Sequence, residues 1–374
     1  MKFGIITYIL HKEGIDGKFY SYSPYISEMN IWMKLADETL IAAPKVSGTA
    51  SAIETAYSEA GIDFYQIPTL NFTSLGNSFK SLLKMSSVIL GILKVMRKAD
   101  HIHLRCPGNI SLIGCFLQIF FPKKPKTVKY AGNWDPKAVQ PWSYKLQKKI
   151  LGNTFISRNV KVLVYGKWPN QSANIVPFFT ASFSELEKER INLIKEFQPP
   201  FQFLFVGSLV EGKRPGYVVE LIEALHNKGI KIKLDIFGDG PLKNDLQKYI
   251  SLQNLEHVIS IRGSVEISEL KHAYKKAHFV ILPSKSEGWP KAVAEAMFFG
   301  CIPIATPVSC VPWMLDNGNR GILIGEELKP ALAEIRNYLE DGERLEAVSK
   351  AAMQWSQQYT LEKLETELKN VLEG

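Results

Sequence analysis

Two glutamates eight positions apart, Glu287 and Glu295, lie in the run Ser286-Glu287-Gly288-Trp289-Pro290-Lys291-Ala292-Val293-Ala294-Glu295-Ala296-Met297. The preceding Phe279-Val280-Ile281-Leu282 reads as a buried strand that stops at Pro283. Pro290 reads as the first helical residue, where a missing N–H costs nothing. Glu287 then falls in the turn and Glu295 about a turn and a half into the helix. The free N–H groups of such a helix start suit a diphosphate. One carboxylate is then placed to meet a sugar and the other a ribose.

The elements around this run alternate. Phe203–Val206 is a short apolar strand ended by Gly207, and Tyr217 to Asn227 has helical spacing. Lys233–Phe237 is the next strand, closed by Gly238-Asp239-Gly240-Pro241. A helix over Leu242–Leu252, a strand over Val258–Ile261 and a helix over Ile267–Lys276 follow. The Pro290–Phe299 helix leads to a strand at Ile302–Ala305. Strands alternating with helices predict a doubly wound parallel sheet. The first half shows the same style less sharply. Its strands are expected at Lys2–Thr7, Thr39–Ala43, His101–Leu104, Thr127–Tyr130 and Val162–Val164. Its helices are expected at Ser81–Arg97, Ile110–Phe120 and Ser143–Leu151. The polar, helical-looking stretch Ser182–Gln198, ending in Pro199-Pro200, marks the boundary. The domains are therefore read as 1–180 and 181–360, with a last helix in 361–374 packing back on the first.

Other features are less specific taken singly. Gly207-Ser208-Leu209-Val210-Glu211-Gly212-Lys213-Arg214 joins a strand to a helix, where a flexible turn can approach phosphate and Lys213 or Arg214 can neutralise it. An ordinary strand-to-helix turn explains the same residues. Gly238-Asp239-Gly240 is part of a dinucleotide fingerprint, but Lys243 stands where the third glycine belongs. Arg262-Gly263-Ser264 after a strand is weaker still.

Together and in this order, these residues resemble the retaining family-4 glycosyltransferases. The matching parts are Phe205-Val206-Gly207 with Lys213, Gly238-Asp239-Gly240-Pro241, and Pro283-Ser284 leading into Glu287-x7-Glu295. Gly300-Cys301-Ile302-Pro303-Ile304-Ala305 and Gly321-Ile322-Leu323-Ile324 match as well. The resemblance covers about residues 201–325 well and the first half only in architecture. It implies a GT-B fold, two Rossmann-like domains facing across a cleft, with a nucleotide-sugar-binding second domain and an acceptor-binding first. It further implies that Glu287 contacts the donor sugar, Glu295 the ribose hydroxyls and Lys213 the diphosphate. Gly207, Ser208, Arg214, Gly238, Arg262 and Gly288 would complete the donor site, with backbone N–H groups of Trp289, Lys291 and Ala292 at the helix start. No metal or cofactor is implied beyond the UDP- or GDP-linked sugar as substrate, and no Asp-x-Asp pair is present. Charge developing on the diphosphate would be met by Lys213 and the helix dipole.

The chain departs from the family at three points. Ser208 stands where an arginine is common, with Arg214 as a candidate substitute. The first-domain loop Lys129-Tyr130-Ala131-Gly132-Asn133-Trp134-Asp135-Pro136 lacks the family's histidine, leaving Asn133 or Asp135 either to line the cleft or to serve as turn residues. The glycine-rich loop after the first strand is absent in its usual form, although Gly14 and Gly17 lie nearby. Arg105 and Asn109, beyond the strand at His101, are further acceptor-side candidates that a strand-end turn explains equally well. His101 and His103 share a strand face, with too few neighbours to ligate a metal.

At 374 residues, 46% hydrophobic and 22% charged, the chain reads as a soluble two-domain globular protein. Its four cysteines form no CxxC pair, which fits free thiols in a reducing cytoplasm. The N-terminus reads as a first strand rather than a signal peptide. The apolar run Ile110–Phe121 is well short of the ~20 residues a membrane span needs. Residues 1–180 hold 22 Lys+Arg against 10 Asp+Glu, whereas residues 181–374 hold 23 against 27. A basic first half suits an anionic partner: a membrane's inner leaflet, a lipid-linked phosphate or, with no motif to support it, nucleic acid. A solvated basic face kept for solubility is the plainer explanation. Phe79 to Lys98 is basic and apolar without an acid, so it reads as a core helix with basic ends or as a helix lying on an anionic membrane surface.

The expected function is transfer of a sugar from a nucleotide donor to a glycan or lipid-linked acceptor in bacterial surface-polysaccharide or glycolipid assembly, without nucleic acid as a partner. A nucleotide-sugar epimerase and a catalytically inactive nucleotide-sugar-binding protein are the alternatives. The incomplete glycine fingerprint argues against a dehydrogenase.

Overall fold

The computed structural model describes the whole chain except residues 52, 60, 73, 190–194 and 374, and except the side chain of residue 75. Two compact units emerge: Met1–Phe178 together with the chain from Glu365 onward, and Phe179–Leu364.

The first unit is built on seven parallel strands. Their spatial order is Ile175–Phe178, Val160–Tyr165, Lys126–Tyr130, His101–Cys106, Lys2–Ile6, Glu38–Ala43 and Asp63–Gln66. The chain runs outward from Lys2–Ile6 in one direction and resumes on its other side at His101–Cys106, so the switch point lies between these two strands. Ile6, Leu40, Ile102, Leu104, Val128 and Val162 form its core with one face of the Leu75–Lys98 helix. The last helix, Leu361–Glu373, joins this unit from Glu365, and Lys161 Nζ donates to the Val371 carbonyl at 3.0 Å.

A small four-stranded sheet, in the order Lys45–Val46, His11–Glu13, Phe19–Tyr22 and Glu54–Ala56, adds to this unit. The sequence pattern did not announce it, because these strands are two to four residues long and carry no sustained apolar run. Gly14 and Gly17 belong here. Gly14 N–H bonds the Lys18 carbonyl, and Gly17 adopts φ +73°, so together they turn the His11–Tyr22 hairpin.

The second unit has six parallel strands in the order Ile259–Gly263, Ile232–Phe237, Phe201–Val206, Phe279–Leu282, Ile302–Ala305 and Ile322–Leu323. Its switch point lies between Phe201–Val206 and Phe279–Leu282. Phe279–Leu282 is wholly buried and Phe201–Val206 buried except at Gln202 and Val206, as mainly apolar strands in a doubly covered parallel sheet must be. Each ends in a loop at the carboxyl edge, one carrying Lys213 and the other Glu287. Of the helical-looking Ser182–Gln198, Glu185–Glu189 is helical, residues 190–194 lie outside the described residues, and the stretch from Lys195 is not helical.

Candidate functional site

The two loops at the switch point of the second unit are fastened to each other. Lys285 N–H donates to the Gly212 carbonyl at 2.9 Å, and Lys213 closes a short 3₁₀ turn beginning at Glu211. The result places Lys213 Nζ 2.5 Å from Glu287 Oε1. Glu287 is buried while the lysine side chain keeps 28% exposure, so the pair opens to solvent on the lysine side. Thr306 Oγ1 donates to the Ser284 carbonyl at 2.5 Å and Cys310 Sγ to the Gly288 carbonyl at 3.1 Å, pinning the Glu287 loop from behind. Burial, with the Glu287 charge adding to it, pushes the Cys310 thiol up to about 12, so it stays protonated as a donor.

The helix that follows is Lys291–Phe298, one residue later than the sequence pattern predicts. Pro290 is its N-cap, with φ −73° and ψ 83°, rather than its first helical residue. As a proline, this N-cap makes no side-chain cap hydrogen bond of its own. The positive end of the helix dipole has an anion's chemistry to offer. The Trp289 side chain is buried in an aromatic cluster with Trp313, Trp355 and Tyr359, which fixes the loop just ahead of the helix. Gly288 supplies the carbonyl held by Cys310, and Lys291 and Ala292 form the first turn.

Glu295 has different company. Its carboxylate accepts from Ser182 Oγ at 2.6 Å and from Tyr274 OH at 3.1 Å, and burial raises its pKa. The cavity beside it measures about 10 Å³, room for no more than one water. A ribose could meet Glu295 only if Ser182 or Tyr274 gave way. Neither partner could be read from the sequence, since Ser182 sits 113 positions away.

The glycine-containing turns interlock. A Cβ on Gly238, whose φ is +147°, would lie 1.9 Å from the Gly207 carbonyl oxygen. Gly207 N–H in turn bonds Phe237 O, and Leu209 N–H bonds Asp239 O. Gly238 thus lets two strand ends approach, a packing role that a phosphate-loop reading did not anticipate. Ser208 is exposed on the upper turn. Arg214, the candidate substitute for the arginine missing at 208, is placed by its own turn. It adopts φ +55°, lies over the Tyr217 ring at 4.5 Å and donates to the Glu326 carbonyl at 3.1 Å. Arg262 is exposed and donates from Nε to Asp235 Oδ1 at 2.8 Å.

In the first unit the acceptor-side candidates separate. Arg105 is engaged by buried Glu28 at 3.0 Å, with fully buried Lys129 3.9 Å from the same carboxylate, so it knits strand to helix. Asn133 and Asp135 are turn residues: Asn133 Oδ1 accepts from Asp135 N–H and Asp135 Oδ1 from Lys137 N–H, both at 2.8 Å. Asn109 alone faces open space. It begins the Asn109–Leu117 helix and lines a cavity of about 240 Å³ with Tyr8, Thr69, Pro107 and Tyr144. Lys148, which the sequence did not single out, lies over the Tyr130 and Trp134 rings, and desolvation lowers it to about 8. His101 and His103 both bond Thr127 Oγ1, and among the described residues no His/Cys/Asp/Glu group is arranged for a metal.

Two doubly wound units of this kind are a GT-B fold. The chain matches Anabaena HepE, solved in complex with UDP and glucose, with a TM-score of 0.67 at 14% identity, covering 100% of this chain and 99% of that one. It matches the sucrose-phosphate synthase of Thermosynechococcus elongatus with a TM-score of 0.68 at 15% identity, covering 100% and 98%. At such identities the likeness speaks for the fold. The sequence of the second unit carries a further likeness: residues 187–355 match the family model described as Glycosyl transferases group 1. Among sequence relatives, the amylovoran biosynthesis glycosyltransferase AmsK of Erwinia amylovora is 30% identical over 165 residues, 42% of this chain and 40% of AmsK. The chain spans only 30–40% of the length of the first curated relatives it matches.

Proposed function

We propose that this protein is a retaining glycosyltransferase that moves a sugar from a nucleoside diphosphate donor to a glycan or lipid-linked acceptor, in the assembly of surface polysaccharide or glycolipid. The observation that carries the reading is the Lys213–Glu287 pair at the switch point of the second sheet, just ahead of the start of the Lys291–Phe298 helix. Ligands of open α/β sheets bind outside the carboxyl ends of the strands at such a point. AmsK supports the polysaccharide setting, and UDP with glucose in HepE supports a nucleotide-sugar donor.

In this mechanism Lys213 leaves Glu287 to meet the donor diphosphate, and the N–H groups at the Lys291 end of the helix share its charge. Glu287, released, accepts from hydroxyls of the donor sugar. The bond between the anomeric carbon and the diphosphate oxygen breaks, the acceptor oxygen takes its place, and the acceptor proton passes to the departing diphosphate oxygen. Negative charge grows on the departing diphosphate, and fixed positive groups stabilise it most at that moment.

Thermal stabilisation by uridine, guanosine and adenosine diphosphate sugars tests the donor, and nucleoside diphosphate release tests transfer. A donor at about a hundred times its dissociation constant raises stability by ~3 kcal/mol. Glu287→Ala should remain folded and release no nucleoside diphosphate. Donor conversion at full rate without any acceptor would replace transfer by epimerisation, and binding without turnover in every acceptor mixture would leave a binding protein.

A further inference from the structure

The Leu75–Lys98 helix is apolar on two sides. One side is core: Val88, Ile92, Val95 and Met96 are fully buried, and Gly91 lies so close to Ile67 that a Cβ would sit 2.4 Å from its Cγ2. The other side is turned to solvent yet carries Phe79, Leu83 and Leu90 at 66, 68 and 57% exposure, with Leu82 at 64% beside them. Phe79, Leu83, Leu90, Lys94 and Arg97 recur at steps of three, four or seven, which puts them along one stripe. Lys80 and Lys84 flank it. Lys98, at the end, is partly offset by Asp63 at 3.7 Å.

A face kept for solubility would mix both charge signs and hide its large apolar side chains. This one does neither, since no Asp or Glu occurs between Asp63 and Asp100. The neighbouring Asn109–Leu117 helix, packed against it, and the 3₁₀ turn that follows repeat the combination, with exposed Phe116 and Phe120 just ahead of exposed Lys123. Among the described residues no helix is long and apolar enough to cross a membrane, so insertion as a span is not what the exposed side chains serve.

We propose that the outer face of the Leu75–Lys98 helix docks on an anionic lipid surface, with Phe79, Leu82, Leu83 and Leu90 entering the headgroup boundary and Lys80, Lys84, Lys94 and Arg97 pairing with lipid phosphates. Charge complementarity selects this occupant. Apolar chains interleaved with cations match a surface that is greasy a few ångströms below a negative plane. The inference stands apart from the donor chemistry of the second unit and survives if that reading fails.

Co-sedimentation of the full chain with phosphatidylglycerol-containing vesicles and with pure phosphatidylcholine vesicles tests it. Salt is set at about 0.05 M and about 0.5 M, the latter shortening the Debye length to ~4 Å. The expected result is recovery with the anionic vesicles alone, falling at high salt. Lys84→Gln with Lys94→Gln should weaken binding by roughly twenty-five-fold, since each lysine near the surface contributes about fivefold. Phe79→Ser with Leu83→Ser should abolish recovery, while an unchanged circular dichroism spectrum shows that both variants fold. Equal recovery with neutral vesicles, no recovery with either, or variants that bind like the parent would overturn the proposal. So would a parent dimer that the serine variant converts to monomer while neither binds vesicles, because a second copy would then own the face.

Discussion

Lys213 and Glu287 are each other's partner in this structure, and that pairing has a consequence for catalysis. An amine 2.5 Å from a nearly buried carboxylate is held in place at little cost, because its own 28% exposure keeps it hydrated. The lysine is thereby positioned in advance for an incoming diphosphate. If it stabilises charge on the leaving group, Lys213→Ala should lower turnover by roughly 10²–10³-fold, the usual loss when one such group is removed. Lys213→Arg should recover part of this, since it keeps the charge but changes the reach. Nucleoside diphosphate release at saturating donor measures it, and an alanine variant within threefold of the parent would assign Lys213 to structure alone. At this scale the glutamates were legible because the strand, the turn and the helix start that frame them are contiguous. The partners were not. Ser182 and Tyr274 at Glu295, and Glu28 at Arg105, come from 113, 21 and 77 positions away. No local pattern encodes which distant polar group will satisfy a buried one.

Among the elements, Phe203–Val206 and Phe279–Leu282 could be read directly because each is an unbroken apolar run ended by Gly207 or Pro283, whereas the four-residue strands Asp63–Gln66 and Ile175–Phe178 were not singled out. The register between loops at the carboxyl ends of the strands could not be read, as Gly238 illustrates. Its backbone combines φ +147° with a would-be Cβ 1.9 Å from the Gly207 oxygen, so alanine there must both adopt a disfavoured conformation and push a strand end aside. Gly238→Ala should destabilise the second unit by at least ~2 kcal/mol in urea unfolding. Gly216→Ala is the contrasting control. It lies in the Pro215–Asn227 helix with nothing within 4 Å of the added Cβ, and should stabilise by roughly 0.5–1 kcal/mol through helix propensity. Changes of equal sign and size at the two sites would mean that the turn yields more readily than its contacts suggest. The helices Ser23–Met33, Leu328–Leu339 and Gly342–Ser356 were not singled out from sequence either. The first buries residues on nearly every side, which erases the periodicity that marks a helix half-exposed to water.

At the scale of the whole molecule the two units differ in how they should respond to acid. The first unit buries three histidines: His11 beside Tyr57 and the Ile9 carbonyl, and His101 and His103 around Thr127. Burial lowers His11 and His101 to about 4 and His103 to about 3, from 6.5. Because the folded-state values lie below the unfolded ones, the unfolded chain binds more protons between them. The stability these residues contribute is therefore complete above pH 6.5 and is lost as pH falls toward 3–4. At pH 5 the loss is about 2 kcal/mol per histidine, and three together approach the whole stability of an ordinary domain. Lys126 and Lys148, lowered to about 8 by desolvation, act in a different window, adding stability as pH rises from 8 toward 10.5. In the second unit the one histidine with a lowered value is His278. Hydrogen exchange read segment by segment should therefore show residues 1–178 losing protection near pH 5 while the strands between Phe201 and Ala305 keep theirs. His103→Asn should reduce the pH dependence of the first unit by about a third whatever it does to stability at neutral pH. Simultaneous opening of both units, or a slope unchanged in the variant, would mean that the buried imidazoles do not control the acid limit.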